Sequence, residues 1–197
     1  MEGTLIFIKH HFAHVWRMIE YFNSNLFSLL YKSSLNNAIY SVFDELVVPS
    51  YAYRKLVITD ASSLYNLINS QEEADLEYFK PHGFDKKSII SQFFNRSFLM
   101  MGVFDNDKLI GYFFLRFFAN KKCFVGRLID RDYRGRGIGK EMNKIMYQIA
   151  WRMGFRCLST ISRNNKAVIR AHSNNRTMVL IKELQNDFLL VEFVNEK

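Results

Sequence analysis

"RDYRGRGIGKEMNKIMYQIAWRMGF" (residues 131–155) opens with three arginines and three glycines in its first nine positions. It then runs into apolar residues at helical spacing: Met142, Ile145, Met146, Ile149, Ala150 and Met153, with Gly154 as the stop signal. The spacing predicts a helix over 138–153 whose first turn is preceded by glycine. A helix start leaves backbone N–H groups without partners and carries a partial positive charge. Glycine there lets the chain turn tightly and approach a ligand with no Cβ in the way. Successive amides aimed into one hollow make an anion nest, and phosphate fits such a nest. The order of residues excludes two other phosphate loops. There is no G-x-x-x-x-G-K-[ST], and a dinucleotide fold would read G-x-G-x-x-G, whereas here the order is R-x-x-G-x-G.

Working outward, the flanking segments alternate. Residues 123–130 (CFVGRLID) and 156–162 read as strands on either side of the glycine turn and its helix. A helix near 165–174 and strands near 177–183 and 187–194 follow. Upstream, 97–105 and 108–119 form a hairpin around Asn106-Asp107. Before them come a strand at 54–60, a short helix at 61–70 with Asp60 as its N-cap, and helical pieces at 72–79 and 85–96, separated by "KPHGFD". Antiparallel strands followed by β-α-β-α-β predict a mixed α/β (α+β) domain. No internal repeat and no low-complexity segment interrupts it.

Residues 5–47 differ in character. Phe12, Val15, Ile19, Phe22, Leu26 and Leu29 alternate spacings of three and four, which draws one apolar stripe along a helix at 5–30. A second short helix covers Ile39 to Val47, closed by Pro49. The division is therefore an N-terminal helical extension (1–52) and a main domain (53–197). The stripe has three possible destinations, in order: its own domain, a homodimer seam, or a membrane surface.

The 197 residues suffice for one domain with a good core, and a composition 49% hydrophobic and 16% aromatic argues against disorder. Two cysteines, Cys123 and Cys157, match no disulfide or metal framework and read as packed thiols of a reducing compartment. No signal peptide and no run of roughly 18–20 apolar residues is present, so the expected location is the cytoplasm with no transmembrane segment. The net charge of +8 concentrates at Arg127, Arg131, Arg134 and Arg136, which suits a local anion better than nucleic acid. His10, His11 and His14 have no acidic partner at matching spacing and do not make a metal site.

Arg134-Gly135-Arg136-Gly137-Ile138-Gly139 resembles the acyl-CoA signature [RQ]-x-x-G-x-[GA] of the GCN5-related N-acetyltransferase (GNAT) superfamily. The likeness extends from "LIDRDYRGRGIGKEMNKIMYQIAWRMGFRCLSTI" to "NKAVIRAH" (165–172), which resembles the family's N-x-x-[AS]-x-x-[LA]-[YH] segment. It spans about residues 54–194 and is sharpest over 124–172. What the resemblance implies is a mostly antiparallel central sheet flanked by helices and direct acetyl transfer from acetyl-CoA to an amine. The amides of Arg136, Gly137, Gly139 and Lys140 would hold the pyrophosphate, and Leu128, Ile129 and Asp130 would face the pantetheine arm. Asn165 would hydrogen-bond that arm or cap the following helix. His172 falls where the family often has a tyrosine as general acid. The Gly-Phe that usually follows is Arg176-Thr177 here. For the general base the candidates are Asp130, the only carboxylate between Cys123 and Asp130, and His82 in the variable acceptor region. The acceptor suggested is a small amine, an amino sugar or its nucleotide-linked form. The alternatives are a protein or peptide acetyltransferase and a non-catalytic acyl-CoA sensor.

Overall fold

The computed structural model describes residues 13–45, 50–172 and 177–195. Helix α1 (Ala13–Asp44) precedes strand β1 (Ala52–Lys55), helices α2 (Ala61–Asn69), α3 (Glu73–Leu76) and α4 (Lys86–Phe93), and strands β2 (Phe98–Asp105), β3 (Lys108–Phe118) and β4 (Lys122–Ile129). Helix α5 (Ile138–Arg152), strand β5 (Arg156–Ser162), helix α6 (Lys166–His172) and strands β6 (Met178–Glu183) and β7 (Phe188–Phe193) complete the order. The strands form one seven-stranded sheet in the order β1-β2-β3-β4-β5-β7-β6. Every neighbouring pair is antiparallel except β4–β5, which α5 connects in parallel.

Both faces of the sheet are covered at its centre, so β2 and β3 are nearly continuous apolar runs rather than alternating ones. One face packs under α5 and α1, burying Phe113, Leu115, Phe117, Cys123 and Val125 against Met142, Ile145, Ile149 and Phe27. The other face packs under α2 and α4, with Tyr112, Phe114 and Leu128 against Leu64, Ile68 and Ile89. The β2–β3 hairpin turns where expected, with Asn106 in the left-handed region at φ 52°.

Two expectations are corrected. The strand expected at 54–60 stops at Lys55, because Ile58–Asp60 forms a 3₁₀ turn. Asp60 closes that turn by accepting from Val57 N at 2.8 Å and pairing with Arg54 at 2.7 Å, so its carboxylate does not cap α2. The N-terminal region, where two helices were expected, holds one 32-residue helix. Most of its apolar stripe does not dock on the domain: Val15, Phe22, Leu26 and Leu29 face outward, Leu29 with 82% of its surface exposed. Ile19 is half-buried in a hollow with Asn23 and Arg116, and Phe12 lies outside the described residues. The inward face carries Phe27, Leu35, Ala38 and Val42, together with polar groups that meet backbone. Asn23 donates to Phe117 O (2.9 Å) and accepts from Ala119 N (3.0 Å), and Ser24 Oγ accepts from Arg96 N (2.9 Å). Strand ends at this edge need hydrogen-bond partners, which an all-apolar stripe cannot supply.

Candidate active site

The glycine turn is built as a cradle. Gly135 and Gly137 have φ of 77° and 81°, a region that side chains adopt only with strain, and a Cβ at either would meet nothing within 4 Å. The space above the turn is therefore open. Gly137 caps α5 in the left-handed conformation. Among the described residues, the amides of Arg136, Gly137, Ile138 and Gly139 have no acceptor within the protein. The Lys140 amide, expected to join them, is already bonded to Gly137 O at 2.9 Å. Gly139 is required for space: a Cβ there would lie 3.1 Å from Arg127 Nε. Arg127 runs under this first turn and donates to Asn143 Oδ1 at 2.7 Å, which puts a positive charge beneath the cradle. Burial pulls its guanidinium pKa down, which is the mark of a charge held away from water.

Beside the cradle the sheet opens. β4 and β5 pair only from Lys122–Arg156 to Phe124–Leu158, although β4 runs on to Ile129 and β5 to Ser162. Ser159 Oγ reaches across at the opening and donates to Val125 O (3.1 Å). That contact shows the direction of the β4 backbone. Asp130 N donates to Ile110 O of β3 at 2.9 Å, and strand register is continuous from Ile129 back to Lys122. By alternation, Gly126 and Leu128 bond to β3, and the N–H and C=O of Arg127 and Ile129 face the opening. Of the three residues expected to line it with backbone, Ile129 does so. Leu128 has its backbone turned to β3, and Asp130 gives its N–H to Ile110 O while its carbonyl accepts from Tyr133 N at 2.9 Å.

A strap crosses the opening. Glu72 pairs with Arg131, and Asp75 pairs with Arg134 at 2.8 Å. The Arg134 guanidinium also touches Gln71 and Ile129 O at 3.4 and 3.3 Å, so this side chain is fastened to the strap. Arg134 holds the Asp75 carboxyl below its ordinary pKa. Further along, Phe79 packs against Tyr112 and Phe114 and lies over Gly126, and Tyr78 sits against Phe188 of β7. The segment 72–79 thus spans from the cradle across both diverging strands. Sequence reading missed it. The available signal was matched spacing: two acids three apart, Glu72 and Asp75, opposite two arginines three apart, Arg131 and Arg134.

The proton-transfer candidates are placed as follows. His82 Nδ1 lies 2.7 Å from Gly83 O and Nε2 lies 3.0 Å from Tyr112 Oη. A carbonyl only accepts, so Nδ1 carries the proton and Nε2 accepts from the tyrosine hydroxyl. Burial lowers the His82 pKa, and rings of Phe84, Phe98 and Tyr112 surround it. Its lone pair is occupied, which fits a packed wall residue better than a free base. The Asp130 carboxylate pairs with Lys108 at 3.2 Å and accepts from Asp132 N at 3.2 Å, organising the loop entry. Asn165 Oδ1 accepts from Val168 N at 3.1 Å, which is the helix-capping role. His172 is the last residue of α6. Arg176 and His10 and His11 lie outside the described residues. No metal-binding group of His, Cys, Asp and Glu occurs among the described residues.

The model of the acetyltransferase (GNAT) family matches residues 62–175, more than half of the chain. The chain belongs to the GNAT acetyltransferase family. GNAT enzymes are acyl-CoA-dependent N-acetyltransferases, and this is the class of enzyme to which the chain is assigned. Solved structures share the fold. PaiA N-acetyltransferase from Thermoplasma acidophilum, determined with coenzyme A, is 20% identical with a TM-score of 0.60, over 73% of this chain and 98% of that one. The ribosomal-protein-S5-alanine acetyltransferase from Vibrio fischeri is 16% identical with a TM-score of 0.62, over 77% and 96%. YncA from Salmonella typhimurium, determined with acetyl-CoA, is 16% identical with a TM-score of 0.56, over 73% and 91%. No curated protein matches the chain. As a GNAT enzyme it uses acetyl-CoA as donor, and the features found here suit that donor. The free amides of residues 136–139 are complementary to a diphosphate, and the backbone of Arg127 and Ile129 is complementary to an amide-bearing arm. Among the described residues, no helix is long and apolar enough to cross a membrane.

Proposed function

We propose that this GNAT enzyme, with residues 53–197 as its catalytic domain, acetylates the primary amine of a small molecule. The observation that carries this reading is the strap. Residues 72–79 close over the β4–β5 opening from the cradle to β7, so the acceptor side is walled. An extended peptide needs an open groove, whereas a small amine fits behind a wall. An amino sugar, free or nucleotide-linked, is the acceptor class proposed, since the net charge of +8 favours a diphosphate-bearing partner.

The neutral amine nitrogen attacks the thioester carbon, forming the C–N bond as the C–S bond breaks, and the proton that the nitrogen then sheds passes to water. The Ile129 amide stabilises charge developing on the carbonyl oxygen. His172, the last residue of α6, supplies the proton that the leaving thiolate takes up and regains one from water. His82 acts through Tyr112, whose hydroxyl it holds in the acceptor wall. The cradle amides of Arg136, Gly137 and Gly139, with Ile138, bind the donor's phosphates, and Asn165 shapes the wall by capping α6.

The test is turnover of acetyl-CoA against amino sugars, their nucleotide conjugates, polyamines, amino acids and peptides. Amino-sugar acetylation is expected; turnover of peptides alone would sink the small-molecule reading. Acetyl-CoA binding without any turnover would leave a sensor. His172→Phe is expected to lower kcat by about 10²-fold or more while acetyl-CoA affinity stays within about twofold. Unchanged kcat would make His172 a packing residue.

A further inference from the structure

Helix α1 carries an apolar face that the described residues of the domain leave uncovered. Val15, Met18, Phe22, Leu26 and Leu29 are all exposed, Phe22 by 66%. At 100° per residue they share one side of the helix, opposite Phe27, Ala38 and Val42, over roughly 21 Å of its length. With their neighbours Tyr21 and Leu30 they present on the order of 700 Å² per chain, above the roughly 300–600 Å² patch of an ordinary monomer and near the roughly 800 Å² per partner of a stable interface.

We propose that this face pairs with the same face of a second copy of the chain, as an antiparallel two-fold dimer centred on Phe22. The intervals from Val15 to Leu29 are three, four, four and three, which reads the same in both directions about Phe22. A two-fold axis through Phe22 therefore sets Met18 against Leu26 of the second copy, and Val15 against Leu29. Self-complementarity of this kind is what a two-fold interface requires. A parallel seam needs the heptad position 25 to be apolar, and it is Asn25, with the leucine one place later.

Charge argues against a lipid surface as the occupant. A helix lying on a membrane brackets its apolar face with Lys and Arg. From Val15 to Leu30 the one Lys or Arg is Arg17, near one end of the face, despite the chain's net +8, and the one acidic residue, Glu20, is paired with Arg116. The apolar face ends at Leu30, where Ser33, Asn36 and Asn37 take over the outward side. The anchoring contacts of Asn23 lie at the turn between β3 and β4 and that of Ser24 just before β2, both at the opposite end of the strands from the cradle. Dimerisation through α1 is therefore compatible with an open donor site.

Sedimentation of the full chain over about 1–100 μM, spanning the micromolar dissociation range, is the first measurement. A dimer is expected, and Phe22→Asp is expected to weaken it by at least about 100-fold while the far-ultraviolet circular dichroism of the fold is retained. The pairing is then read by cysteine cross-linking. Phe22→Cys should form an intermolecular disulfide. Val15→Cys and Leu29→Cys should cross-link when mixed and not singly. A wild-type chain that stays monomeric overturns the proposal, as does a dimer indifferent to Phe22→Asp. Cross-linking of Val15→Cys with itself would mean parallel pairing and overturns the two-fold. A monomer that sediments with phosphatidylserine vesicles in a Phe22-dependent way would assign the face to lipid instead.

Discussion

Gly137 is where backbone conformation and ligand chemistry can be separated. Its φ of 81° and the open space around it mean that a side chain would be strained but not crowded. Asn tolerates the left-handed region better than most residues, so Gly137→Asn measures the conformational cost, on the order of 1 kcal/mol. Gly137→Asp adds a carboxylate where phosphate is expected. Calorimetry should show acetyl-CoA affinity lost by about 100-fold or more in the Asp variant and by much less in the Asn variant. Equal losses would assign the glycine to the turn alone. His82 supplies a pH signature. Burial sets its folded pKa below the unfolded value of 6.5, so above that value both states are neutral and the residue contributes no pH dependence. As pH falls below 6.5 the unfolded chain takes up a proton that the folded chain refuses, and stability declines until the folded pKa is reached. The thermal midpoint of wild type should therefore fall between pH 7 and pH 5 more steeply than that of His82→Gln. Identical slopes would show that His82 is not held neutral. The glycines at 135 and 137 were readable because a left-handed φ favours glycine over residues with a side chain. The proton state of His82 was not, because it depends on burial among the rings of Phe84, Phe98 and Tyr112, which the fold brings together.

Among the elements, α5 and the strands around it were legible nearly to the residue: 138–153 expected against Ile138–Arg152, and 156–162 against Arg156–Ser162. Each carries its own apolar rhythm and its own stop. Helix α1 shows the limit of that reasoning. Its strongest stripe marks the outward face, while the inward face is mixed with Asn23 and Ser24, whose value lies in backbone ends they meet across the fold. Phe27 tests the assignment of faces. It is fully buried and stacked on Phe117 with ring centroids 4.9 Å apart. Phe27→Ala should cost about 3–5 kcal/mol in denaturant unfolding. Leu29→Ala, two positions on, should change the monomer by less than about 0.5 kcal/mol. The reverse ranking would turn the helix over. The strap makes its own prediction. Asp75→Asn removes the charge that meets Arg134, loosening the acceptor wall while leaving the cradle amides in place. The acceptor KM should rise about tenfold, equivalent to ~1.4 kcal/mol, with acetyl-CoA affinity within about threefold. Loss of donor affinity alone would mean that the strap serves the loop rather than the acceptor.

For the molecule as a whole, the architecture follows from one break in regularity. Five of the six neighbouring strand pairs are antiparallel; in the sixth, α5 returns the chain parallel to β4 and the pairing lasts three residues. That short ladder is closed on its buried side by Cys123 and Cys157, which sit side by side across β4 and β5 with no solvent exposure. Burial pushes both thiols well above their ordinary pKa, Cys157 next to the negative charge of Glu192 as well. A thiol that is neither ionised nor reachable does not react with disulfide reagents. The folded protein is thus silent in the colorimetric detection of sulfhydryls, and every thiol that appears during turnover comes from released CoA. The same silence makes the two cysteines a built-in alarm: two equivalents of protein sulfhydryl, emerging together, would time the moment at which the sheet comes apart.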